Sequence, residues 1–140
     1  MGEAAREWHR LRLWRVVGLG LVVAIVTLSL VPPSDVPGAG LLPDKVGHIL
    51  AYGVLMGWHV QLAAPGAGRR RYGVAFLVLG IALEGAQAWT GYRTFELMDI
   101  LANAVGIGLG WLVSARWLPG ILRRIDNALV RGERGPPPGG

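Results

Sequence analysis

The chain alternates long apolar runs with short charged breaks, and the breaks recur at bilayer-length intervals. Uninterrupted stretches without a charge lie between Arg15 and Asp35 and between Lys45 and Arg69 apart from their polar ends. A third falls between Arg71 and Arg93, broken by Glu84, and a fourth between Asp99 and Arg116. About 20 apolar residues cross a hydrocarbon core of about 30 Å. Lipid offers no partner to backbone N–H and C=O groups, so such runs must be helical. The pattern predicts an all-α fold, an integral membrane bundle of four transmembrane helices near Trp14–Val31, Val46–Ala64, Tyr72–Trp89 and Asp99–Arg116. The first run follows a basic leader, as a signal peptide would, but no small-x-small cleavage site precedes Asp35 and three more runs follow, so a retained span is expected. The second and fourth runs are short or carry polar residues, which leaves two spans with re-entrant pieces as a minor alternative.

Composition agrees with a membrane setting. Of 140 residues, 52% are hydrophobic and 16% charged, too little charge to coat a water-facing surface. There is no Cys, which excludes disulfide frameworks, thiol nucleophiles and Cys-ligated metal. The net charge of +5 raises nucleic acid as a partner, but its distribution argues against that class. Arg6, Arg10, Arg12 and Arg15 precede the first span, Arg69, Arg70 and Arg71 follow the second, and Arg116, Arg123, Arg124, Arg131 and Arg134 follow the fourth. Only Lys45 and Arg93 fall in the other two connections. The positive-inside rule then places both termini in the cytoplasm, and no DNA-binding motif is present. The expected organisation is a basic leader over 1–13, a four-span membrane domain over 14–117, an interfacial amphipathic helix over 118–131 and a disordered Gly/Pro tail over 132–140. Ile121, Leu122, Ile125 and Leu129 form the apolar stripe of that interfacial helix, with arginines opposite.

With topology assigned, the polar residues inside the runs become informative. Asp44, Lys45 and His48 open the second span, Glu84 and Gln87 lie toward the outer end of the third, and Asp99 and Asn103 open the fourth. With Arg93 they fall at one leaflet. Asp44, His48 and Tyr52 recur every four residues, Glu84 and Gln87 are three apart, and Asp99 and Asn103 four apart, so each set shares a helix face. Gly53 and Gly57 on the second span, and Gly106 and Gly110 on the fourth, have the small-residue spacing that permits tight helix contact. An intramembrane carboxylate such as Glu84 costs about 2.5 kcal/mol or more unless paired, hydrated or protonated. Lys45 is the one lysine among 14 basic residues.

The series Asp44-Lys45-x-x-His48-x-x-x-Tyr52, then Glu84-x-x-Gln87, then Arg93 with Asp99-x-x-x-Asn103-x-x-Gly106-x-x-x-Gly110, resembles the VanZ-like family of small bacterial integral membrane proteins. The resemblance covers about Asp35 to Trp111; the Arg-rich flanks and the Gly/Pro tail lie outside the family pattern. The family is named for a protein associated with low-level antibiotic resistance, to the glycopeptide teicoplanin, and has no established biochemical reaction. The resemblance therefore implies an architecture and a cell-envelope setting, in the bacterial cytoplasmic membrane, and supplies no mechanism.

Each polar residue has a plain reading beside a functional one. Asp44 after Pro43 can cap a helix start and Lys45 can snorkel to headgroups; alternatively Lys45 contacts an anion and His48 carries a proton. Glu84 and Gln87 can be interhelical glue, or Glu84 can be a general base or counter-ion. Arg93 can be an outer-loop charge or a fork for phosphate. His59 lies three turns deeper than His48 and is expected to be structural, the six tryptophans read as an aromatic belt, and the glycines of Gly106–Gly110 are no phosphate loop. A metal site from Asp44, His48, Glu84 and Asp99 is possible by ligand type, but the usual multi-histidine spacing is absent, so neither metal nor cofactor is expected.

The expected function is a binding site at the outer face. It would be formed by Asp44, Lys45, His48, Tyr52, Glu84, Gln87, Arg93, Asp99 and Asn103, and would take an anionic envelope lipid, a lipid-linked cell-wall precursor or a lipophilic glycopeptide antibiotic. The alternatives are an enzyme acting on a lipid headgroup with Glu84 or His48 as base, and a transporter subunit with those residues as a proton relay. Four short spans would need a homo-oligomer for the latter.

Overall fold

A computed structural model describes residues 8–36, 38, 40–91 and 94–133. The described residues form five α-helices and no strand: α1 (Leu11–Leu30), α2 (Asp44–Leu62), α3 (Ala67–Thr90), α4 (Leu97–Arg116) and α5 (Ile121–Glu133), with a single 3-10 turn at Pro33–Asp35 between α1 and α2. The helices follow the apolar runs. Pro43 precedes α2 with φ −53° and its carbonyl accepts from Val46 and Gly47 N–H at 2.9 and 3.1 Å, so the missing proline donor falls where the helix needs none. Gly91 stops α3 in the left-handed region at φ +80°.

Among the described residues three helices, not four, are long and apolar enough to cross a membrane: α1, α3 and α4. This corrects the expectation of four. The second run does form a helix of 19 residues, but Asp44, Lys45, His48, His59 and Gln61 lower its hydropathy. Its position explains the difference. α2 is the centre of the bundle, with Leu55 and Met56 fully buried, Val60 and Tyr52 nearly so, and Phe76 and Ile107 packed on them. A helix that faces protein can carry polar residues that a lipid-facing helix cannot. α1 is the opposite case: only Trp14 and Gly18 are buried, and Val16, Leu19, Val23 and Leu28 are exposed. The third helix also starts earlier than expected and takes in Arg69, Arg70 and Arg71.

α2 and α4 run parallel and pack backbone to backbone. A Cβ on Gly106 would lie 3.0 Å from Ile49 Cα, and one on Gly110 would lie 3.0 Å from Gly53 Cα, so neither glycine tolerates a side chain. The four-residue glycine spacing thus performs the close contact its sequence predicts. At one end of this seam lie the starts of α2 and α4; at the other, Ser114 Oγ donates to Gly57 O at 2.8 Å and Gln61 Nε2 donates to Leu118 O at 2.8 Å.

Residues 1–7 of the leader and 134–140 of the tail lie outside the described residues, as does Arg93.

Candidate functional site

The parallel arrangement of α2 and α4 brings their first turns together, and those turns carry the charged residues. Lys45 Nζ is 2.5 Å from Glu96 Oε2 and donates also to Asp99 Oδ1. The Asp99 side chain is 3% exposed, whereas those of Lys45 and Glu96 are 40% and 51% exposed. One carboxylate therefore anchors the ammonium from below and the other meets it in the open. Desolvation makes the first contact demanding and leaves the second weak, since exposed pairs contribute at most about 1 kcal/mol.

His48 sits one turn below Lys45's side of α2 and is half-buried. Its Nδ1 is 2.9 Å from Asn103 Oδ1, an acceptor, so Nδ1 carries the hydrogen. Nε2 then faces Asp99 Oδ2 at 3.6 Å and Asp44 Oδ2 at 3.8 Å. It is the ring atom placed to take up a proton or to meet a ligand. Asp44 is exposed at the rim.

Below His48 the polar column continues into the bundle. Asn103 is 1% exposed, and a Cβ on Gly80 would lie 2.8 Å from Asn103 Nδ2 and 3.2 Å from Tyr52 Oη. Gly80 of α3 thus makes room for both side chains. Glu84, one turn further along α3 and 2% exposed, lies within electrostatic reach of Tyr52. Lys45, Asp99, His48 and Asn103 form a linked polar group from the end of the bundle inward, Tyr52 and Asn103 meet against Gly80, and Glu84 lies one turn from Gly80 back toward the Lys45 end.

One expected member stands elsewhere. Gln87 is buried, but its Nε2 donates to Ser29 O of α1 at 2.7 Å, so it ties α1 to α3 and does not join the column. Arg93 is outside the described residues. Two participants were missed by the sequence reading: Glu96, three residues before Asp99 and on its face, and Gly80, four before Glu84. Their spacing is the signal that could have found them.

Asp44, His48 and Asp99 each offer a ligand atom, all within 4.8 Å of one another, a donor set that could hold a divalent cation. The Lys45 ammonium already occupies that ground, bound to Asp99 and 4.0 Å from Asp44 Oδ2, so a metal would have to displace it.

Along the outer side of the α2–α4 seam runs an apolar groove of about 410 Å³. It begins at Ile49 and Leu50, one turn from Lys45, and passes Gly53, Val54 and Gly57 before reaching Val113. His59 belongs to the core as expected: Nδ1 lies 2.8 Å from Leu55 O, and the Tyr72 and Phe76 rings stand 4.8 and 4.9 Å from its own.

No protein-family profile matches the chain, and no solved structure does. The chain is 30% identical over 105 residues to an uncharacterized protein of the fission yeast Schizosaccharomyces pombe. The match takes in 71% of this chain and 62% of that relative, so the chain spans less than two thirds of its length. The similarity is to a eukaryotic protein.

Proposed function

We propose that the chain is a VanZ-like integral membrane protein that binds the polar head of an amphiphile at the Lys45 cluster. The carrying observation is the placement of a half-exposed ammonium one turn from an apolar groove about 410 Å³ in volume. A headgroup phosphate or carboxylate takes the place of the weakly held Glu96 on Lys45, while buried Asp99 keeps the ammonium in position. The acyl part lies along Ile49, Gly53 and Val54. The ligand class is an anionic envelope lipid, a lipid-linked cell-wall precursor or a lipophilic glycopeptide. In this reading α2 also crosses the membrane, with Tyr52, Met56 and His59 turned into the bundle and Leu50 and Val54 exposed on its outer side, and the positive-inside rule favours cytoplasmic termini with the cluster at the outer face of the bacterial inner membrane.

The His48 geometry favours a second reading, an enzyme acting on the same headgroup. With Nδ1 fixed by Asn103, Nε2 is the base for a water or hydroxyl at the rim.

Native mass spectrometry from nanodiscs of extracted envelope lipids tests both. Binding requires a co-purifying amphiphile that Lys45→Met releases and Glu96→Gln retains more strongly. Equal lipid content in wild type and Lys45→Met overturns the binding reading. A headgroup-modified product that disappears in His48→Gln establishes the enzyme, and turnover unchanged in that variant removes it.

A further inference from the structure

The end of the bundle away from Lys45 holds a second charged surface that the amphiphile site does not use. Around α5, residues divide into three strips. Leu122 and Asp126 are buried toward the bundle. Ile125 and Leu129 stay 41% and 44% exposed, although the apolar stripe in which the sequence places them with Leu122 would ordinarily be buried as a unit. On the third strip, Arg123, Arg124, Asn127 and Arg131, with Gly120 and Ala128, line a concavity of about 720 Å³.

The helix is fastened in this rotation. Asp126, fully buried, accepts from His9 N–H at 2.7 Å, Arg10 N–H at 3.3 Å and Trp14 Nε1–H at 3.0 Å, and Arg10 pairs with Glu133. Turning Ile125 and Leu129 inward would break all of these contacts. A fixed helix at a span end is therefore left with an exposed apolar strip on one side and a concave basic strip across the helix from it. Acyl chains beneath a phosphate layer present the complementary pattern.

We propose that this face of α5 is a binding site for the phosphate headgroup of an acidic membrane lipid, separate from the Lys45 cluster. It rests on the reading of the chain as a membrane protein, though not on what the Lys45 cluster binds. The test uses the full chain in mixed phosphatidylcholine and phosphatidylglycerol vesicles, gently extracted and weighed by native mass spectrometry. Phosphatidylglycerol is expected to be enriched on the protein, and less so as salt rises. The triple variant Arg123→Gln, Arg124→Gln, Arg131→Gln should lose about a hundredfold of that enrichment, at about fivefold for each of the three charges removed. The corresponding triple Lys variant should keep most of it, which separates lost charge from lost fold. Lys45→Met, which empties the other cluster, should keep the part of the enrichment that depends on these three arginines, and the triple Gln variant made on Lys45→Met should lose what remains. Enrichment that survives the triple Gln variant, that is absent in wild type, or that soluble glycerol phosphate displaces at equal concentration overturns the proposal. A chain that stays in solution without detergent overturns this proposal and the membrane reading together. Enrichment lost in Lys45→Met alone assigns the lipid to the other site.

Discussion

Each end of the bundle buries a carboxylate near the start of a helix, and the two are satisfied in opposite ways. Asp126 accepts from three uncharged donors, two of them the backbone N–H groups that open α1, and is fully buried. It serves as a cap supplied from a distant helix, for Arg10 provides no side-chain cap of its own. Asp99 instead meets an ammonium, with an imidazole edge at 3.6 Å, and its cationic partner is half open to the surface. An acceptor surrounded by fixed neutral donors has no other state to adopt. An acceptor whose partner also reaches a solvent-facing carboxylate can exchange partners. The first arrangement holds a fold together; the second can respond to a ligand.

Substitutions at the two ends should divide accordingly. The largest effect on stability is expected for Asp126→Ala, which strands three donors and should cost about 3 kcal/mol in unfolding measured in micelles. Amphiphile retention at Lys45 should be nearly unaffected, and a loss of retention matching that of Asp99→Asn would erase the distinction. Gly80→Ala should follow, at about 1–3 kcal/mol, because its methyl group would press on Asn103 and Tyr52. Hydrogen exchange should then show loosening at the starts of α2 and α4.

Asp99→Asn should reverse the balance. Lys45 remains half exposed and hydrated, so stability should fall by only about 1 kcal/mol while ligand retention falls about tenfold. Smallest is Glu96→Gln, expected within about 1 kcal/mol of wild type in stability and with retention raised. Lower retention in Glu96→Gln would mean that the cluster prefers a cationic group.

Acid gives an independent comparison. Burial pushes the Asp126 carboxyl up, but the hydrogen bonds from Trp14 and from the His9 and Arg10 amides outweigh it and hold the group below its ordinary range. A folded value below the unfolded one means that the contribution of Asp126 is complete above about pH 4 and is lost as pH falls through the depressed folded value. Melting of wild type against Asp126→Asn should therefore converge in strong acid and diverge toward neutral pH. Parallel curves at all pH values would show that the carboxylate charge does not matter there.

The helices and the glycine contact were legible from sequence because both are local periodicities. A run of apolar residues needs no partner to be recognised, and Gly53, Gly57, Gly106 and Gly110 repeat every four residues. The gathering of Asp44, Lys45, His48, Asp99 and Asn103 was legible for the same reason, each pair lying on one helix face. Gln87 was misplaced because spacing gives the face of α3 and not which neighbour that face meets; it meets Ser29 of α1. Glu96 was overlooked because it precedes α4 and looks like a loop charge until Lys45 is beside it. Asp126 drew no attention in the sequence, because nothing nearby shows that it is buried against the start of α1.

By itself the sequence determined that the chain is helical, that its charge is divided between two ends, and that two helices carry glycine faces able to touch. These follow from hydropathy, periodicity and the steric size of side chains. Tertiary structure decided which helix is central, which carboxylate closes on which cation, and which apolar residues of α5 remain uncovered. Those outcomes depend on contacts between residues such as His9 and Asp126, 117 positions apart, and no local pattern encodes them.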